Sequence, residues 1–217
     1  MTVLPFVTSA DVLTAIEPVR THLDGGGLLA HPTETVYGLG SRAVAEDLER
    51  LAALKGRPEG KPFLLLVCGR RMAVDVGLSF SPAADALAER FWPGPLTLVL
   101  TGGEGRLPDA LRGPEGGIAV RWTSHAGTAA LIEQLGEPLT STSANRPGGP
   151  TAPGVPALLE AFAPHVERGD LLVLDGGVLG NKPPSTLVDC TTAQPKLIRE
   201  GAIPRAELRA AVGRFAP

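Results

Sequence analysis

The sequence predicts an α/β fold built on a mixed sheet, and three observations carry that prediction. Short strand patterns alternate with helical patterns from one end of the chain to the other. Several strand patterns are apolar at consecutive positions, as in residues 62–68, which is the signature of a sheet covered on both faces. The strand patterns at 186–189 and 196–199 are separated by only six residues, too few for a helical crossover, so part of the sheet is antiparallel. With 217 residues and 43% hydrophobic side chains the chain can bury a full core. No repeat and no linker-like stretch interrupts it, so residues 1–217 are read as one domain.

The elements follow in order. Residues 10–23 read as a helix that Pro18 should kink or start. Residues 27–31 form a short buried strand. Residues 45–55 are helical, with Leu48, Leu51 and Leu54 on one side. The apolar run at 62–68 is a strand. Ser81 is placed to cap a helix over 81–91, with Pro82 at its first position. Residues 96–100 and 117–121 are strands, and 126–135 and 155–162 are helices. Strands at 171–175, 186–189 and 196–199 precede a closing helix over 204–215. The 27 glycines and 21 prolines are spread among the apolar runs, as expected of many tight turns rather than a low-complexity tract.

Composition narrows the function. Twenty basic and 23 acidic side chains leave a net charge of −3, which argues against general polyanion binding but leaves room for a local basic pocket. No run reaches the ~18 apolar residues of a membrane helix. Met1-Thr2-Val3-Leu4-Pro5 lacks the pattern of a secretion signal. The two cysteines, Cys68 and Cys190, lie far apart and near no metal-ligand spacing, so a reduced, cytoplasmic chain without structural zinc is expected. There is no nucleophile elbow, no paired His-Glu zinc motif and no dinucleotide fingerprint. His22, His31, His125 and His165 are read as surface or capping residues.

Three polar clusters interrupt the apolar strands, and ligands of α/β sheets sit at such loop ends. The first is His31-Pro32-Thr33-Glu34-Thr35-Val36-Tyr37-Gly38-Leu39-Gly40, which also fits a turn with capping threonines. The second, residues 55–62, carries Lys55, Arg57 and Lys61 among Gly56, Pro58, Gly60 and Pro62. It suits a polyphosphate clamp and equally an exposed basic turn. It is no P-loop: Gly56 and Gly60 are one residue too close, and Pro62 replaces the Ser or Thr. The third, residues 138–149, places Thr140, Ser141, Thr142 and Ser143 before Asn145, a row of donors and acceptors or an ordinary polar loop.

Taken in order, these clusters resemble the signatures of the YrdC/Sua5/YciO family of threonylcarbamoyl-AMP synthases and their relatives. The matching stretches are Pro32 to Leu39, Lys55-Gly56-Arg57-Pro58, Lys61-Pro62, Trp92-Pro93-Gly94-Pro95-Leu96-Thr97, Val120-Arg121, Thr142-Ser143-Ala144-Asn145, Ser185-Thr186-Leu187-Val188-Asp189 and Ile198-Arg199-Glu200-Gly201-Ala202. The resemblance covers about residues 13–203. It implies a twisted mixed sheet flanked by helices around a concave basic cavity. It implies that L-threonine, bicarbonate and ATP combine to L-threonylcarbamoyl-adenylate and pyrophosphate, for modification of adenosine 37 of tRNA. Lys55, Arg57, Lys61, Ser143, Asn145 and Arg199 would then hold ATP, with Lys55 and Arg57 also catalytic. Thr35, Arg121 and Ser185 would hold threonine. Mg2+ would enter with ATP, with no metal ligand from the protein. Separate proteins would carry the group to tRNA, with weak or indirect tRNA contact here and no membrane.

The sequence departs from the family pattern at Trp122-Thr123, at Arg146-Pro147-Gly148, and at residues 64–66, where longer members often present a His. Two other readings remain at this stage: a YciO-like paralogue with another carbamoyl-type substrate, and a non-enzymatic RNA-binding module. Replacing Lys55 or Arg57 by Ala is expected to weaken ATP-dependent turnover, with folding barely changed if these side chains stand exposed in a cleft. Any tRNA contact is expected near Lys55, Arg57, Lys61, Arg70 and Arg71.

Overall fold

The computed structural model describes residues 3–57, 60–180 and 182–216; Pro58 and Glu59 of the basic cluster lie outside them. The chain runs β1 (Val3–Pro5), α1 (Ser9–Asp24), β2 (Leu28–His31), β3 (Gly38–Gly40), α2 (Ala45–Lys55), β4 (Leu64–Leu66), α3 (Arg70–Asp75), β5 (Leu78–Ser79), α4 (Pro82–Phe91), β6 (Leu96–Gly102), β7 (Ile118–Arg121), α5 (Ala126–Leu135), β8 (Leu139–Ser143), α6 (Val155–Glu167), β9 (Leu171–Asp175), β10 (Thr186–Asp189), β11 (Lys196–Arg199) and α7 (Arg205–Val212). The sheet order is β1-β9-β2-β3-β8-β4-β7-β6-β10-β11, with β5 on β6. The sheet is mixed: β9 lies parallel to both β1 and β2, and β4–β7 and β6–β10 are parallel. The pairs through β3 and β8 are antiparallel, as is the expected β10–β11 pair.

Two expectations change. Pro18 neither starts nor ends α1, which begins at Ser9 behind a reciprocal cap between Thr8 and Asp11. Val12, Ala15, Val19 and Leu23 are buried on both sides of Pro18, and that packing outweighs the ~3 kcal/mol an internal proline costs. Helix α6 runs past residue 162 to Glu167, bending at Phe162 (φ −128°, ψ 17°) just ahead of Pro164. The sequence reading also passed over β1, β3, β5, α3 and β8. The last is the hydroxyl run itself: its threonines suit a strand, and its polarity hid that.

Strand β3 is Gly-Leu-Gly because it is squeezed between β2 and β8. A Cβ on Gly40 would lie 2.2 Å from the Thr140 carbonyl, and one on Gly38 would lie 2.6 Å from Ser141 Oγ.

Side-chain alternation along the strands divides the core in two. Leu28, Ala30, Leu65, Leu171 and Val173 pack with Leu48, Leu51 and Leu54 of α2, Leu87 of α4, Leu158 of α6 and Leu208 of α7. Their neighbours Leu29, Leu66, Leu172 and Leu174 point the other way, onto Val12, Ala15, Val19 and Leu23 of α1 and Leu131 and Ile132 of α5. Helices α1 and α5 cover this face over β1, β9 and β2 and reach Leu66 of β4 and Leu139 of β8, with Met72 of α3 packed alongside. Farther along that face, residues of β8, β4, β7, β6 and β10 form the floor of the cavity described next.

Candidate active site

The cavity has a volume of about 980 Å³, at the upper end of small-molecule sites. Register explains its floor. Leu64 pairs with Ser141, Leu66 with Arg121, Val99 with Ala119 and Thr97 with Leu187, and directly paired residues share a face. Leu64, Leu66, Ser141, Ser143, Ala119, Arg121, Thr97, Ser185 and Leu187 accordingly all line it. Four strand steps separate β8 from β10, so the two walls stand roughly 19 Å apart.

The β8 wall gathers the basic cluster and the hydroxyl run. Gly56 caps α2 in the left-handed region (φ 61°), which turns the chain so that Lys55 and Arg57 both reach β8. Lys55 Nζ donates to the Ser143 carbonyl (2.6 Å), the Asn145 carbonyl (2.5 Å) and Asn145 Oδ1 (2.5 Å). Ser143 Oγ donates to the same Oδ1 at 2.6 Å. Arg57 Nη1 donates to Thr142 Oγ1 (2.8 Å), its Nε donates to the Lys61 carbonyl (2.8 Å), and its guanidinium lies 4.4 Å over the Phe63 ring. Lys55, Arg57, Ser143 and Asn145, far apart in sequence, thus form one connected group.

Lys55 differs from its expected state. It is 6% exposed, and all three ammonium protons are used within the protein. Burial, with the charges of Arg57 and Lys61 added, lowers its pKa to about 8. It holds the end of α2 to the end of β8 and is no exposed cleft residue.

Across the floor from the basic cluster stands Arg121, at the end of β7 and 4% exposed. Its Nη1 and Nη2 each donate to Thr35 Oγ1 at 3.2 Å, and its Nε donates to the Gly94 carbonyl at 3.2 Å. Nη2 lies 2.7 Å from Glu34 Oε1, while Thr123 donates to Glu34 Oε2. Burial works to raise the Glu34 pKa; Arg121 and Thr123 overcome it and leave it lowered, so the pair is ionic. Ser185 Oγ lies 2.8 Å from Thr97 Oγ1, and Arg199 Nη2 donates to the Ser185 carbonyl at 2.9 Å. Every sequence-predicted site residue, Thr35, Lys55, Arg57, Lys61, Arg121, Ser143, Asn145, Ser185 and Arg199, lines this one cavity.

Six cations line it, Lys55, Arg57, Lys61, Arg121, Lys182 and Arg199, and no Asp or Glu does so among the described residues. Sequence reasoning did not assign Thr97 or Lys182. Thr97 ends a motif that had been read, but Lys182 belongs to no pattern. Arg70 and Arg71 do not join the basic group: they pair with Asp85 and Asp75 at 2.7 Å on the outer surface. His31 is not a surface residue. It is fully buried, with Nε2 3.3 Å from Ser141 Oγ. Burial lowers its pKa to about 4, the Pro32 carbonyl opposing and His125 and Arg121 adding to the fall. His125 does cap a helix, accepting from Thr128 N at the start of α5.

Among the described residues no three His, Cys, Asp or Glu side chains gather to hold a metal ion, and Cys68 and Cys190 lie outside the cavity lining. The lining can bind and orient anions, neutralise charge and offer hydroxyls. No helix among the described residues is long and apolar enough to cross a membrane.

Comparison with known proteins gives the same picture. A family model for Sua5, YciO and YrdC proteins, described as "Telomere recombination", matches residues 21–201. The threonylcarbamoyl-AMP synthase of Thiobacillus denitrificans is 39% identical over 178 residues, 81% of this chain and 91% of that protein. The threonylcarbamoyl-AMP synthase of Pyrococcus abyssi is 35% identical over 189 residues, 87% of this chain. The chain spans only 54% of that longer relative. The crystal structure of P. abyssi Sua5 complexed with L-threonine superposes with a TM-score of 0.86 at 31% identity, over 99% of this chain and 62% of that one. The signatures along the sequence, the sheet and the cavity they build, and these matches place the chain in the Sua5/YciO/YrdC family.

Proposed function

We propose that this chain is a threonylcarbamoyl-AMP synthase that joins L-threonine, bicarbonate and ATP. One observation carries the reading: a single cavity, free of carboxylates in its described lining, unites Lys55, Arg57, Ser143 and Asn145 on one wall with Thr35, Arg121, Ser185 and Arg199 across the floor. The relatives named for this activity support it, as does the threonine complex of P. abyssi Sua5.

The chemistry asks for what the cavity offers. The neutral amine of threonine attacks bicarbonate, forming the C–N bond of a carbamate and releasing water. A carbamate oxygen then attacks the α-phosphorus of ATP; the new P–O bond forms as the bond to the β-phosphate bridge breaks, and pyrophosphate leaves. No protein nucleophile is needed. The protein orients two anions and offsets their repulsion. The β8 wall, with Arg57, Lys61 and the Ser143–Asn145 turn ordered by Lys55, suits the nucleotide; Thr35, Arg121 and Ser185 suit threonine. The described cavity lining supplies cations and hydroxyls but no carboxylate, so magnesium would enter as part of MgATP and would supply charge neutralisation at the phosphates. The product then passes to separate proteins that modify tRNA, in the cytoplasm.

Purified protein incubated with ATP, bicarbonate and one amino acid at a time tests this. Pyrophosphate release is expected with threonine and to depend on bicarbonate. Release with a different carbamoyl-type substrate and none with threonine would favour the YciO-like reading, to which the apolar Leu64 and Leu66 on the cavity floor are suited.

A further inference from the structure

The segment that follows β9 crosses nearly the whole sheet. It leaves the second strand in the sheet order and enters the ninth, β10, and its far end passes the cavity: Lys182, Pro183, Pro184 and Ser185 all line it. Both ends of the segment are fastened. At the start, Tyr37 Oη donates to the Gly177 carbonyl (2.8 Å) and accepts from Gly176 N (3.0 Å), and Leu179 N donates to the Pro153 carbonyl at 2.8 Å. At the end, Ala202 N donates to the Pro184 carbonyl at 2.9 Å, and Gly201 fits only because a Cβ there would lie 2.2 Å from that carbonyl. Lys182 is therefore carried to the cavity by backbone held on either side of it.

The cavity cations differ in how far they are already committed. Lys55 gives its three protons to Ser143 and Asn145. Arg57 holds Thr142 and two carbonyls. Arg121 is ion-paired to Glu34, and Arg199 binds Ser185. Among the described residues, the ammonium groups of Lys61 and Lys182 make no hydrogen bond and no ion pair. Lys61 belongs to the β8 wall with Arg57, and Lys182 precedes Ser185 at the β10 wall. An incoming anion meets these two charges without displacing a contact to any described residue, and a flexible ammonium suits a phosphate as a point charge.

We propose that Lys182 is a further substrate-binding residue, a cation that contacts the phosphate oxygens of the nucleotide from the β10 wall. This rests on the nucleotide reading above only for the identity of the ligand; the charge contact itself can be tested with inorganic phosphate chains.

The test is calorimetric titration of wild type, Lys182→Gln and Lys182→Arg with inorganic tripolyphosphate, ATP and L-threonine separately. Lys182→Gln is expected to weaken tripolyphosphate and ATP by about 10- to 150-fold, the range of a charge-assisted contact. Lys182→Arg should recover most of it, L-threonine binding should hold, and melting temperatures should match. Unchanged tripolyphosphate and ATP affinity in Lys182→Gln overturns the proposal. So does a loss confined to threonine, which would assign Lys182 to a carboxylate. Wild type that binds tripolyphosphate through Lys182 but not ATP would keep the contact and remove the nucleotide reading.

Discussion

At the scale of single residues, Lys55 shows how a signature residue can have a second duty. Its ammonium bridges α2 to the Ser143–Asn145 turn; without it the Asn145 carbonyl loses its donor, while Asn145 Oδ1 still accepts from Ser143 Oγ and the Ser143 carbonyl from Asn145 N. Orphaned buried acceptors cost about 1–3 kcal/mol. Lys55→Ala is therefore expected to lower the melting temperature as well as turnover. Its protonation adds a pH signature. The empty site holds its pKa near 8, below its ordinary 10.5; a bound triphosphate pulls it back up. Nucleotide affinity should fall as pH rises above 8, by roughly tenfold near pH 9, with proton uptake on binding. Calorimetry in buffers of different ionisation enthalpy measures that uptake, and pH-independent affinity would refute it. In the empty protein the sign reverses: between about 8 and 10.5 the unfolded chain binds the extra proton, so Lys55 makes stability rise with pH across that window.

At the scale of elements, helix α1 illustrates a local signal and a tertiary one in balance. Thr8 Oγ1 accepts from Asp11 N at 3.2 Å, and Asp11 Oδ2 accepts from Thr8 N at 2.8 Å. This cap starts a helix that must then survive Pro18, and the buried stripe from Val12 to Leu23 sustains it. Because α1 covers the β1-β9-β2 end of the sheet and contributes no residue to the cavity lining, Thr8→Ala should lower the melting temperature by about 2–4 °C with kinetics unchanged. Thermal scans beside the pyrophosphate assay check both halves; lost activity at full stability would contradict the separation. Strand β8 is the other instructive element. Read alone, Thr140 to Ser143 is a polar stretch, yet β3 and β4 pair with it on either side, and its hydroxyls then line a cavity rather than break a core.

For the whole molecule, charge placement decides which partners it favours. The chain carries a net −3, while six cations face the cavity. Arg70 and Arg71 are neutralised on the outer surface, so no wide basic track extends from the cavity through them. Contact with tRNA should be weak, should fall about tenfold between 50 and 200 mM salt if some two phosphates are engaged, and should be displaced by ATP. Filter binding with and without ATP reads all three. Tight binding that ATP leaves untouched would promote the RNA-binding alternative.

The sequence by itself determined the class of fold, the order of most elements and nine of the residues that line the cavity. Periodicity placed α2, α4 and α5, and the short 190–195 link required the antiparallel β10–β11 pair, because those facts depend on neighbours along the chain. The motifs named nine cavity residues because each lies in a local pattern of glycine, proline, hydroxyl and charge. Tertiary structure alone decided which face of the sheet stays open. That follows from register: paired residues share a face, and the cover that α1 and α5 give the second one is centred on its β1-β9-β2 end. It also decided that Lys55 is buried, that His31 is neutral inside the protein, and that Lys182 reaches the cavity at all. Each of these depends on contacts between residues tens of positions apart, such as Lys55 with Ser143 or Tyr37 with Gly177, and burial sets their charge states only once those contacts exist.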